Sequence, residues 1–388
     1  MTSVARIRTL FVATATIFFT RALLFSTWQD RGPEVEHLLH LNTSQMGLLS
    51  MLYPLGGLTG LLNANYLNSR FGSRKVTIVG FSSAAAALVG LAFTVPAGNV
   101  WLSAALLVTI GFPMGAADFV GNFEGNDLDR QSSRSLVPGI HAVFGVGMFG
   151  AAGLSSLLSL RGITVSNNYL IVAVLVALPS IWAGLTFPKR KPSIESAESK
   201  LVHRAITRRV WREPLTWMVA AIAFTFAIAE LSAGTWVPLA LTTDGFSVAA
   251  ASAAFGFFWV AVTAGRAIGG WTVDRFGLRR TLLGSAIVTA AGVTLFIANS
   301  SLHLPYVALT LWGLGMANGI PLAINNFSSS DEAAPARINL IIIVCYTGML
   351  VVGPALGALG QLVGIQLAFS MPVVLLAVAA FLTRVVRR

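Results

Sequence analysis

Only one cysteine, Cys345, occurs in 388 residues, which rules out a disulfide framework and any metal site built on paired thiolates. Charge is equally scarce. Asp, Glu, Lys and Arg make up 11% of the chain, against roughly 25% in an ordinary soluble domain. No polar stretch is long enough to fold as a soluble domain by itself. No glycine-rich loop ends in Lys-Ser or Lys-Thr, so hydrolysis of ATP by a phosphate-binding loop is excluded. No His, Cys or Glu cluster has metal-ligand spacing, and no nucleophile sits in an activating motif. The sequence therefore predicts neither an enzyme nor a metal or cofactor site. The first apolar run lacks a small-residue cleavage site and reads as a span rather than a signal peptide.

What is abundant is hydrophobic: 55% of residues, with a mean hydropathy of +0.76. Apolar runs of roughly 20 residues mark membrane helices. Twelve are expected, near 8–28, 44–68, 76–96, 101–126, 136–160, 168–187, 214–241, 247–272, 281–300, 304–327, 338–363 and 367–384. The polar connection 188–213 divides them six and six, giving an N-terminal bundle (1–187), a basic linker and a C-terminal bundle (214–388). The net charge of +11 could suggest nucleic acid, but its placement argues otherwise. Of 26 basic residues, all but Arg21, Arg31, Arg161 and Arg266 fall in alternate loops and at the two termini. That bias is the positive-inside pattern, with both termini cytoplasmic, and it requires no polyanionic partner.

One basic loop occurs twice. Gly270-Trp271-Thr272-Val273-Asp274-Arg275-Phe276-Gly277-Leu278-Arg279-Arg280 is echoed at Ser69-Arg70-Phe71-Gly72-Ser73-Arg74-Lys75. Arg70 and Arg275 are 205 positions apart, as are Gly72 and Gly277. A repeat of half the chain length in so hydrophobic a protein points to two similar halves.

Polar residues within the apolar runs are the candidates for chemistry. Gly111, Gly115, Asp118, Asn122 and Gly125 recur at helical spacing and share one face of the fourth run. Such a stripe faces other helices or a wet cavity rather than lipid. A carboxylate at membrane depth is costly unless protonated, paired or hydrated, so Asp118 is a functional candidate. It could equally be a hydrogen-bonded tie between helices. Glu230 lies about 16 residues into the seventh run, or roughly 24 Å, and Arg21 near mid-membrane in the first. Thr27-Trp28 and Thr235-Trp236 align the two halves and place Arg21 and Glu230 at adjacent equivalent positions. Arg21 is expected to pair with Glu230 or Asp118, or else to bind an anionic substrate. Trp28 and Trp236 suit either an interfacial belt or a cavity roof stacking on a sugar ring. Asn318 and Asn325, seven apart in the tenth run, either line a cavity or bridge helices. His141, opening the fifth run, is a hydrogen-bonding residue or a proton relay. Arg266 is expected to brace the Asp274 loop. Glycine-rich fifth and eleventh runs, the latter with Gly353-Pro354, allow close helix approach.

The pattern Gly-x-x-x-Asp-Arg-x-Gly-x-Arg-Arg between the eighth and ninth runs resembles the signature loop of the major facilitator superfamily. The resemblance covers the whole chain. It implies an all-α integral membrane fold of two pseudo-symmetric six-helix bundles, in the cytoplasmic (inner) membrane of a bacterium. It also implies a latch of neighbouring helix ends by Asp274, Arg275, Gly277, Arg279 and Arg280, with Arg70, Gly72 and Arg74 in the other half. Asn65 and Ser69 replace the glycine and the acid of the pattern in the first copy, so the N-terminal latch should be the weaker. The segments Asp118–Gly125, His141-Ala142-Val143-Phe144 and Glu230–Trp236 look like the fucose-permease-like branch, with departures at Glu124 and Thr235. That branch implies proton coupling through Asp118 and substrate contact by Asn122. The function expected is secondary active transport by alternating access. One form is proton symport of a sugar-like or other small polar solute. The other is proton-driven efflux of a drug or metabolite, which the Gly-Pro segment favours. The expected partners are a small-molecule substrate, protons and the lipid bilayer, with no nucleic acid, and the chain is expected to be a monomer.

Overall fold

The computed structural model describes residues 3–132, 136–189, 205–298, 304–327 and 333–386. Among these residues the secondary structure is entirely helical. Most of the expected linker, from 190 to 204, and Arg134 lie outside the described residues. The helices are α1 (Ser3–Asp30), α2 (Gly32–Leu38), α3 (Thr43–Ser50), α4 (Leu52–Thr94), α5 (Val100–Gln131), α6 (Val137–Leu160) and α7 (Val165–Thr186). They continue with α8 (Pro214–Thr243), α9 (Val248–Phe276), α10 (Leu278–Ile297), α11 (Leu304–Met316), α12 (Gly319–Asn325), α13 (Ala334–Val363), α14 (Ile365–Ala368) and α15 (Ser370–Leu382).

Among the described residues, eleven helical segments are long and apolar enough to cross a membrane. The segment Thr43–Thr94 holds two of the expected spans, since its 52 residues would extend about 78 Å at 1.5 Å per residue. The break is at Gly72, where φ is 77° and ψ 156°. Gly277, its counterpart in the repeat, has φ 80° and ψ 159° and caps α10. This conformation is essentially restricted to glycine. The sequence repeat is thus also a backbone repeat, and it turns the chain between consecutive spans in each half.

Close contacts group the chain into two compact units, Met1–Ser193 with Pro238–Gly256, and Ile194–Val237 with Phe257–Arg388. In the first unit α4 packs along α5 and α7, and α1 along α6 and α7. Gly111 and Gly115 of α5 lie directly against the backbone at Tyr53 and Gly57 of α4, with no room for a side chain. The upper half of the small-residue stripe therefore serves helix packing. The second unit has an aromatic core in which Trp312 meets Phe258, Phe296 and Phe369 edge to face. Such pairs contribute about 0.5–1.5 kcal/mol each beyond their buried area.

Candidate functional site

The lower half of the stripe carries the polar residues. Arg21 Nη1 of α1 lies 2.5 Å from Asp118 Oδ1 of α5. The two side chains are 17% and 23% exposed, so the pair is sheltered but within reach of solvent. Asp118 is one of the carboxylate partners expected for Arg21. The guanidinium also lies 5.0 Å from the Phe144 ring centre and 5.6 Å from that of Phe18, cation–π contacts that help hold it away from water.

Asn122, one helical turn beyond Asp118, extends the group. Its Nδ2 donates to the Asp118 carbonyl at 2.7 Å, and its Oδ1 lies 3.0 Å from His141 Nε2. With Nδ2 on that carbonyl, Oδ1 accepts and the imidazole donates through Nε2. The His141 ring packs edge to face on Phe18 at 4.6 Å. Arg21, Asp118, Asn122 and His141 therefore form one continuous polar chain across α1, α5 and α6. A cation, a carboxylate, an amide and an imidazole so arranged can hold a proton and present several donors and acceptors to a polar ligand.

The second unit has a looser pair. Glu230 Oε1 of α8 is 3.9 Å from Arg266 Nη2 of α9, and Arg266 Nε donates to the Ala317 carbonyl at 3.4 Å. Arg266 thus serves Glu230, in place of the expected bracing of the Asp274 loop. Asn318 Nδ2 donates to the Gly265 carbonyl at 2.7 Å, bridging the break before α12 to α9, and Asn318 also lines a cleft between α9, α10 and α11. The tenth run is broken between Met316 and Gly319, with Asn318 capping α12. Its seven-residue spacing to Asn325 therefore does not place both on one continuous helix face. Asn325 is exposed. Trp28 is 4% exposed and Trp236 fully buried, which departs from a lipid-facing belt.

The two signature loops differ in their contacts, and the weaker N-terminal latch expected from the sequence is not what sets them apart. Arg70 donates to the Tyr66 hydroxyl at 2.5 Å and stacks near Phe71, while Arg74 is half-buried. Asp274, Arg275 and Arg280 are exposed, Arg279 is half-buried, and among the described residues no ion pair joins any of them. Where the first loop lacks its acid, Glu124 of α5 comes in from the side. The Ser73 hydroxyl donates to its Oε1 at 2.5 Å and lies 2.9 Å from Asn68 Oδ1.

A buried polar group at the far end of α1 was not foreseen. Asp30 and Arg31 are completely buried. The Ser26 hydroxyl donates to Asp30 Oδ2 at 3.0 Å, and Arg31 Nη1 donates to Glu34 Oε2 at 2.6 Å. The Ser252 hydroxyl donates to the Asp30 carbonyl at 3.2 Å. The sequence signal was the Arg31–Glu34 spacing of three with Pro33 between, a pairing within one helical turn.

A membrane protein of paired helical repeats, with an ion pair sheltered between its helices, has the architecture of a transporter of small molecules. A profile of the major facilitator superfamily matches residues 10–337, and the chain belongs to that family. It is 26% identical to an uncharacterized MFS-type transporter of Yersinia pestis over 386 residues, covering 97% of this chain and 96% of the relative. It is 30% identical to a probable nitrate/nitrite transporter, NarK2, of Mycobacterium tuberculosis over 287 residues, 69% of this chain and 67% of the relative. Among solved structures, the nucleoside transporter NupG matches with a TM-score of 0.75 at 14% identity, covering 97% of this chain and 98% of its own. The Escherichia coli fucose:proton symporter matches at 0.65 and 19%, covering 96% and 97%. At these identities the structural likenesses concern the fold.

Proposed function

We propose that this chain is a proton-coupled symporter that moves a small polar, sugar-like or nucleoside-like solute across the bacterial cytoplasmic membrane. Two six-helix bundles, 1–187 and 214–388, would expose the site alternately to either side. The observation that carries this reading is the Arg21–Asp118 pair, half-sheltered and continuous with Asn122 and His141. Protonating Asp118 removes the charge that holds Arg21. The guanidinium is then available to a hydroxyl or carbonyl of the ligand, and the α1–α5 contact loosens. A ligand that pairs better with the protonated site than with the ion pair couples its own binding to proton uptake. The fucose:proton symporter among the fold relatives supports this direction of coupling.

A nitrate-like anion is the second reading, favoured by the NarK2 relative and by an arginine at membrane depth. It requires Arg21 to leave Asp118, because an anion brought to the intact pair would face the carboxylate.

The test uses proteoliposomes holding a pH-sensitive dye, challenged with panels of sugars, nucleosides, nitrate and cationic drugs. Proton entry with a sugar or nucleoside supports symport, and the same with nitrate selects the anion. Proton movement against a drug would replace both readings with efflux. Silence from folded protein across all panels would overturn proton coupling.

A further inference from the structure

A cleft of about 360 Å³ opens between α9, α10 and α11 in the second unit, apart from the Asp118 site. Its walls combine apolar Ile268, Phe276, Val288 and Leu314 with Arg280 at one end. From Arg280 to Val288 the cleft follows two turns of α10, about 12 Å by helical rise. Ile268, Phe276 and Val288 are 51%, 50% and 36% exposed, so the cleft opens outward along the helices. Trp271 and Phe276, 63% and 50% exposed, stand edge to face at 6.1 Å beside Arg280. Exposed aromatics of this kind mark the headgroup level of a bilayer. The charged end of the cleft therefore lies at the membrane surface and the apolar end in the hydrocarbon.

Electrostatics at that charged end are unbalanced. The first turn of α10 contains Arg279 and Arg280 and no acid, and its cap, Gly277, supplies no side chain to the helix amides. Cations at the positive end of a helix dipole are unfavourable, and an anion there relieves them. Asp274 is the one acid in the loop, set against Arg275, Arg279 and Arg280. A phosphate accepting from Arg280 and from the first-turn amides would complete the end of the helix, while one acyl chain fills the apolar cleft. Basic pockets between membrane helices are known to take anionic headgroups.

We propose that this cleft is a binding site for one anionic phospholipid, with its phosphate at Arg280 and an acyl chain along α10 towards Val288. The site gives the signature loop a lipid ligand and makes the helix ends it joins responsive to membrane composition.

The experiment uses the purified full chain in mixed nanodiscs of phosphatidylglycerol and phosphatidylcholine, released and weighed by native mass spectrometry. Wild type should retain one phosphatidylglycerol in several-fold preference to phosphatidylcholine. Arg280→Gln should bring that preference to about one without removing the lipid. Gly284→Leu should displace both lipids. A β-carbon at Gly284 meets nothing within 4 Å, so a side chain there starts in open space and extends into the cleft that Gly284 lines. Equal retention by wild type and R280Q, or unchanged retention by G284L with native thermal stability, would overturn the proposal. Displacement of the lipid preference by millimolar inorganic phosphate alone would make this a free-anion site and also overturn it.

Discussion

Arg21 and Asp118 are 97 residues apart in sequence and 2.5 Å apart in space. Each is the other's answer to the cost of a charge at membrane depth. In Asp118→Asn the amide keeps the shape but neither takes up a proton nor balances the arginine. Proton-driven accumulation should fall to the equilibrium level, while counterflow exchange of the solute persists. Accumulation retained by D118N, measured with the same proteoliposomes, would remove Asp118 from the coupling step.

The helical class and nearly all span positions were legible in the sequence, because a hydrocarbon solvent leaves few alternatives to apolar helices of about 20 residues. Asp118 and Arg21 stood out for the same reason, as charges where charges are expensive. The partners were less legible. Arg266 falls near the end of its run, and its link to Glu230 on another helix depends on a tertiary contact that no spacing encodes. The break at Ala317-Asn318 was hidden because both flanking pieces are apolar and the run reads as one helix. Arg31 was visible only as an exception to the positive-inside pattern, and its buried guanidinium donates to the Ile163 carbonyl, a tertiary contact that no spacing encodes.

His141 separates a relay from a hydrogen-bonding prop. Its Nε2 donates to Asn122, so a glutamine at 141 can supply a donor but cannot exchange a proton in the same range. His141→Gln should retain accumulation within a few-fold of wild type, and His141→Ala should lose roughly ten-fold or more, as a lost hydrogen bond of about 1.4 kcal/mol would. If both variants fail equally and the pH profile of transport flattens, His141 carries the proton.

Gly72 and Gly277 share a backbone conformation that a β-carbon opposes. Alanine at either should cost about 1–3 kcal/mol of stability, and the two costs should be similar because the dihedral angles agree. Thermal unfolding of G72A and G277A in detergent checks this. A neutral effect at one position would mean that the repeat is not under equal strain in the two halves.

Glu213, just before α8, is held by Arg337 of α13 through two hydrogen bonds, Nε to Oε2 at 2.7 Å and Nη2 to Oε1 at 3.0 Å. These bonds, more than the opposing burial, hold its carboxyl below the ordinary value of 4.5. A group depressed in the folded state contributes its stability above the unfolded value and loses it as pH falls through the folded one. At about pH 7 Arg337→Gln should therefore cost about 1 kcal/mol, the scale of a charge-assisted pair that is only half-buried. The gap between wild type and R337Q should narrow as the pH is lowered below 4.5, because protonation removes the carboxylate in both. Melting curves of the two proteins across that range decide it: a gap that stays constant to the lowest pH would mean that Arg337 stabilises the α8–α13 contact by packing on Phe327, 5.4 Å away, rather than through its charge.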